Sequence, residues 1–271
     1  MTPKNPWKHV KVDPARLENN RFLNPTVPTE PDPQPDPTPT PRRSSTLSGK
    51  YILMPQTSTY ALGVDALVKA CQAESNSAHP QFPRDDGSRI YRPLTFKEDI
   101  EARVNDYESN TGNDERLRLF NRWLNSCTAV VYKAGTTKFK IIPLSPELVT
   151  LPEDFSDAYF PIDYDAIAGT ELDRNGAVYN TLLAKSDVLD HPAWRAAVED
   201  DVDLLRTYAD IVFTAKSDPA KAMRFWVVQN PAEDQLRALY VTNLNYDSNA
   251  IGYDDLYGNG SFLRVAQERT P

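Results

Sequence analysis

Three histidines, two cysteines and several clustered carboxylates are the side chains of this 271-residue sequence that could make or break bonds. His9, His79 and His191 lie far apart, and no Cys or His spacing matches a zinc site. His191 stands in Asp190-His191-Pro192-Ala193-Trp194 and reads as the start of a helix. Cys127 reads as a small buried thiol at a helix-to-strand junction, since nothing beside it in sequence would lower its pKa. No Gly-x-Ser-x-Gly elbow is present, and the glycines form neither a dinucleotide nor a phosphate loop. Glu199-Asp200-Asp201 and Asp203 read as helix-start and solvated carboxylates. Asp254-Asp255, with Asp247 nearby, offer loop oxygens of the kind calcium takes, but the EF-hand spacing is absent. The expectation is a non-enzymatic chain with no catalytic residue, no metal and no cofactor.

The chemistry left open is recognition. Val241 to Ser261 reads VTNLNYDSNAIGYDDLYGNGS, between strand-like segments at 237–241 and 262–266. A tract flanked in this way is a loop held by a scaffold, and such loops carry binding. It contains no Lys, Arg, Glu, Gln, Met or Trp. These six types make up 57 of the 271 residues, so about four are expected in the tract. A codon-level process gives this list. Start from Asn codons, change either adenine and keep the pyrimidine third base. The products include Asn, Asp, Tyr, Ser, Thr, Ile and Gly, and never Lys, Glu, Gln, Met or Trp. The positions that fit are Thr242, Asn243, Asn245, Tyr246, Asp247, Ser248, Asn249, Ile251, Tyr253, Asp254, Asp255, Tyr257, Gly258 and Asn259. Leu244, Ala250, Gly252 and Leu256 are then fixed anchors. An ordinary turn-rich loop is the alternative.

The elements that must hold this loop follow from periodicity. Gly63–Glu74 has helical spacing of apolar residues. Thr95–Tyr107 opens with a capping-box pattern, Thr95 and Glu98. Asn113–Asn125 reads as a third helix, with Leu117, Phe120, Trp123 and Leu124 on one face. Ala129–Tyr132 and Phe139–Ile142 read as a hairpin, and Leu148–Leu151 as a short strand. Asp154–Gly176 reads as an irregular connection. Asp187–Asp200, interrupted near Pro192, and Val202–Phe213 read as helices. Phe225–Val228, Ala238–Val241 and Phe262–Ala266 are the closing strands. The pattern is α+β.

Eight prolines crowd Asn24–Pro41, which makes that stretch an extended, semi-rigid spacer or a docking ligand for an aromatic groove. The expected organisation is an arm over 1–23, a Pro-rich linker over 24–49 and an α+β domain over 50–271, with the variable region at about 237–266. The arm either ties the chain to an assembly partner or packs back on its own body. Net charge is -8, which argues against a nucleic-acid partner. No apolar run is long enough for a membrane span. The N-terminus has no apolar signal core, so a cytoplasmic or virion-associated protein is expected. Cys71 and Cys127 are expected to be two buried thiols rather than a disulfide.

Arg237-Ala238-Leu239, the Asn-rich tract and Ser261-Phe262-Leu263-Arg264-Val265-Ala266 resemble the C-terminal variable region of diversity-generating retroelement proteins. Trp123–Thr128, Lys138–Pro143 and Asp190–Trp194 are similar to other segments of that family, so the resemblance covers roughly Thr95 to the end. It implies a C-type lectin-like fold with an N-terminal Pro-rich extension. It also implies a face rewritten through an error-prone reverse transcriptase that mutates adenines. The implied ligand is a protein or glycan, with Tyr246, Tyr253 and Tyr257 as anchors and the variable side chains exposed. A related enzymatic branch uses two C-terminal cysteines, and this chain has none after Cys127. The alternative is a structural or adaptor protein of a phage particle or other large assembly, with the Pro-rich arm as tether.

Overall fold

The computed structural model describes residues 50–75, 93–216, 220–256 and 260–266. The expected arm and Pro-rich linker, His9, His79 and residues 257–259 lie outside these, as does the side chain of Cys71. In chain order the elements are β1 (Lys50–Leu53), α1 (Tyr60–Ser75), α2 (Phe96–Ser109), α3 (Asn113–Arg116), β2 (Leu124–Tyr132), β3 (Lys138–Ile142) and α4 (Pro146–Val149). They continue with β4 (Phe160–Pro161), β5 (Thr170–Asp173), α5 (Lys185–Asp190), α6 (Pro192–Ala197) and α7 (Val202–Ala215). The last are β6 (Phe225–Trp226), β7 (Gln235–Val241), β8 (Ala250–Ile251) and β9 (Leu263–Ala266). The class is α+β, as the periodicity predicts.

The main sheet runs β5-β3-β2-β7-β8-β6, with β4 also pairing to β7. Its middle is the antiparallel pair of β2 and β7, from Leu124 opposite Val241 to Tyr132 opposite Gln235. Every residue of these two strands is buried. The expected hairpin is present as β2–β3, with Gly135 at φ +64° in its turn, where a left-handed backbone favours glycine. The only parallel pairing among the described strands joins β6 to β8. A separate ribbon pairs β1 with β9.

Helices α2, α6 and α7 start at side-chain caps. Thr95 Oγ1 accepts from Glu98 N at 3.2 Å, and the Glu98 carboxylate accepts from Thr95 N at 2.7 Å. Such a cap contributes about 1 kcal/mol. His191 caps α6 with Pro192 in the first turn, so the expected interruption near Pro192 is a boundary between two helices. Asp201 caps α7 through Leu204 N at 3.2 Å.

Three expectations need correction. The helix expected over Asn113–Asn125 stops at Arg116. Residues 117–122 form turns, and Arg103 Nη2 donates to the Arg122 carbonyl at 2.7 Å. Leu124 and Asn125 are drawn into the ladder with β7, so tertiary pairing overrides the helical period. Leu148–Leu151 is not a strand: α4 occupies Pro146–Val149, with Ser145 accepting from Leu148 N at 3.3 Å. Asp154–Gly176 is not wholly irregular, since β4 and β5 lie within it and β5 extends the sheet beyond β3. As an edge strand with exposed Thr170 and Glu171, β5 needs no apolar alternation and leaves none to read.

A buried pair on α2 shapes stability. Asp99 and Arg103 are both fully buried, one helical turn apart. Arg103 donates to the Tyr208 hydroxyl at 2.7 Å. Neither Asp99 oxygen has a hydrogen-bond partner among the described residues. Burial pushes the Asp99 carboxyl well above the usual range, and the attraction of Arg103 offsets this only in part. A raised carboxyl pKa means that the folded state holds a proton the unfolded chain has lost. Stability therefore falls as pH rises from the ordinary carboxylate pKa, about 4, toward the folded value. Asp99→Asn removes that proton uptake. The variant should gain on the order of 1–2 kcal/mol at pH 7 and little near pH 4, read by urea denaturation at both pH values. A loss of stability at pH 7 would mean that Asp99 is ionised and paired with Arg103.

Candidate functional site

The loop after β7 is tied down before it is displayed. Thr242 N donates to Asn249 O at 2.9 Å, and Asn249 N donates to Thr242 Oγ1 at 2.8 Å. The Thr242 hydroxyl donates to Tyr246 O at 3.0 Å. Asn243 caps a short 3-10 turn, Leu244–Tyr246, through Tyr246 N at 3.1 Å. Leu244 N then donates to Phe120 O at 2.7 Å.

Asp247 and Ser248 follow in the left-handed region, at φ 65° and 50°. Asn, Asp and Gly tolerate that conformation, and β-branched residues do not. The Asp247 carboxylate pairs with Lys216 and, at 3.8 Å, with Arg224. Its carbonyl accepts from Met223 N at 3.0 Å, and Asn249 Oδ1 accepts from Arg224 N at 2.8 Å. The polar tract is thereby fixed to the segment that leads into β6.

β8 carries the chain to Gly252, whose N donates to Trp226 O at 2.9 Å. A Cβ at Gly252 would come within 2.9 Å of Val130 Cγ2, so this position must be glycine. Arg237 of β7 holds the next turn. Its Nη1 reaches Tyr253 O at 2.6 Å, Asp254 O at 3.2 Å and Asp255 Oδ1 at 2.8 Å, while Nε donates to Gln235 at 2.7 Å. Leu256 closes the tract, with its N bonded to Ala158 O at 2.8 Å.

The predicted residues therefore separate into two groups. Tyr246 is 60% exposed and Tyr253 42%, and Asn245 is exposed as well. Asn243, Asp254 and Asp255 are half-buried. Burial raises the Asp254 carboxyl and the Tyr253 hydroxyl. Thr242, Ser248, Asn249 and Ile251 are buried, and Asp247 is engaged with its two cations. The expectation that every variable side chain is exposed does not hold for these five. The side chains of Thr242, Asp247 and Asn249 serve loop closure, Ser248 contributes its left-handed backbone while its hydroxyl has no partner among the described residues, and Ile251 pairs with Tyr240 and Trp226 in the sheet. Tyr257, Gly258 and Asn259 lie outside the described residues. The four expected anchors, Leu244, Ala250, Gly252 and Leu256, are all buried.

Residue types alone did not single out the supports beneath the exposed rings. Tyr246 packs edge-on against Trp123, with centroids 5.5 Å apart, and Tyr253 packs against Trp226 at 5.5 Å. Arg237 had a legible signal: it is the one charged residue in the strand segment QLRALYV. Lys216 and Arg224 had none.

The groups first weighed for chemistry are placed elsewhere. His191 Nδ1 accepts from Ala193 N at 3.3 Å, and Nε2 faces Val178 O at 3.0 Å. Burial lowers its pKa and keeps the ring neutral, as a cap requires. Cys127 is buried, and its Sγ lies 3.0 Å from Pro93 O. Among the described residues no group of three or more His, Cys, Asp or Glu is placed to hold a metal. None of the described helices is long and apolar enough to cross a membrane.

No protein-family model matches the chain, and no curated protein does. A solved structure does match it. That structure is described as showing the accommodation of massive sequence variation in Nanoarchaeota by the C-type lectin fold. The TM-score is 0.55 at 14% identity, over 82% of this chain and 100% of the other. The protein has the C-type lectin fold.

Removing the cation that organises the 253–255 turn should be costly. Arg237→Leu leaves several carbonyls and the Asp255 carboxylate without their donor. It should destabilise the protein by about 2–4 kcal/mol in chemical denaturation, whereas Asp255→Asn, at the more exposed partner, should cost under about 1 kcal/mol.

Proposed function

We propose that this is a non-enzymatic binding protein whose C-terminal loop is a diversified recognition face. The observation that carries this is the division of the tract. Its backbone is closed by Thr242, Asn249 and Arg237, while Asn245, Tyr246 and Tyr253 project from it. Tyr gives a large, rigid, amphipathic contact and Asn gives adaptable hydrogen bonding, the composition of antibody paratopes. The structural likeness to a protein that accommodates massive sequence variation supports the same reading. The ligand is a protein or glycan surface that differs between variants.

Two measurements test this. Asn, Tyr and Asp codons end in a pyrimidine in any gene, so the discriminating codons of the tract are those of Thr242, Ser248, Ile251 and Gly258, all of which should end in a pyrimidine. The gene should also lie beside a reverse transcriptase gene and an imperfect repeat that differs at adenines. Absence of both removes the diversification.

A substitution scan tests the display. Exchanges among Asn, Asp and Ser at 245 should shift stability by no more than about 0.5 kcal/mol in thermal melts, and exchanges at 246 and 253, which lose a tryptophan contact, by about 1 kcal/mol. Ser248→Ile, which puts a β-branched residue at a buried left-handed position, should cost about 2–3 kcal/mol, and Asn249→Ile a similar amount. Equal losses at both sets of positions would rule out a tolerant face on a fixed frame.

A further inference from the structure

The display face has two features that its residue types do not reveal. The first concerns its aromatic rings. Tyr246 meets Trp123 at 74° between planes, and Tyr253 meets Trp226 at 63°. In neither pair do the rings lie in one plane, so they form no continuous flat platform. Each tyrosine stands as a separate knob braced from below by a half-buried tryptophan of the scaffold. Among the described residues neither phenol hydroxyl has a hydrogen-bond partner.

The second feature concerns charge. Two of the three described loop acids are neutralised from within the protein. Lys216 and Arg224 face Asp247, and Arg237 faces Asp255. Arg224 is itself held over the Trp226 ring, 5.3 Å from its centroid. The third, Asp254, is half-buried and has its pKa raised by that burial. What projects is phenol and amide. A groove of about 540 Å³ does exist, but Asp190, Pro192, Arg195, Glu199 and their neighbours line it, and no residue of the loop does.

We infer that the face binds a folded protein surface through two tryptophan-braced tyrosine knobs, and that its ion pairs are internal fasteners rather than contacts. Projecting aromatic anchors gain most by filling pockets on a partner, where they become desolvated hot spots. A contact built on phenol and amide groups gains little from long-range electrostatics. The partner patch is therefore uncharged, and its affinity depends weakly on salt. This rests on the loop being the recognition face, but not on its being diversified. A missing repeat in the DNA would leave it standing.

The probe is a phage-displayed library of disulfide-constrained random peptides, panned against the full chain at about 150 mM salt. Enriched peptides should show no bias in net charge. Their affinity should fall at least about tenfold for Tyr246→Ala and for Tyr253→Ala. It should change less than about twofold between roughly 50 and 500 mM salt. Melting temperatures close to the parent's confirm that the alanine variants are folded. A neutral-oligosaccharide panel is run in parallel. Peptides that bind both alanine variants unchanged, a steep salt dependence, or failure to enrich any peptide each overturn the inference. Oligosaccharide binding lost in the same variants, with no peptide enriched, assigns the face to a glycan instead.

Discussion

The burial of β7 on both edges is the constraint on which the rest depends. A strand whose every residue is inside must have all its backbone groups paired. β2 pairs along one edge, and β8 and β4 share the other. Those pairings set where β7 ends, and hence where the polar tract begins at Thr242. They also bring Trp123, just ahead of β2, and Trp226 of β6 to the tract, since β6 joins the sheet only through β8. Helices α2 and α7 serve the same core, and the Phe120–Tyr208 stack at 5.4 Å lies between the turns and α7.

A loop can change its exposed side chains only if its conformation does not depend on them. Here conformation rests on backbone bonds and on a few buried side chains. Thr242 and Asn249 close the base, Asp247 and Ser248 make the left-handed turn, and Arg237 gathers the carbonyls of the next turn. The exposed residues add little to that frame. Net stability of a domain is a small difference between large terms, so positions that bear the frame tolerate change poorly. Asn243 caps the 3-10 turn and Asp254 accepts from Asp255 N, so the frame narrows the usable part of the tract to Asn245, Tyr246 and Tyr253 among the described residues.

Local signals were legible where local chemistry decides the outcome. The capping box at Thr95 and Glu98, the glycine of the β2–β3 turn and the proline after His191 each act within a few residues. The four apolar or glycine anchors could be read because they interrupt a polar run. Residues 117–123 could not, because their helical period loses to pairing with β7 and to Arg103, which comes from another element. The buried state of Thr242, Ser248 and Asn249 was equally hidden. A polar type in a polar tract reads as exposed; Asn249 becomes structural through the Arg224 amide, and Ser248 through its left-handed backbone. The tryptophan supports were visible as residues but not as neighbours of Tyr246 and Tyr253.

If the loop is a diversified face, one surface varies while its frame does not. Sequencing this gene across many individuals of one population tests it most directly. Amino-acid changes should concentrate at Asn245, Tyr246 and Tyr253, with Leu244, Ala250, Gly252, Leu256, Trp123, Trp226 and Arg237 unchanged. An invariant tract, or changes spread evenly over the domain, would contradict it.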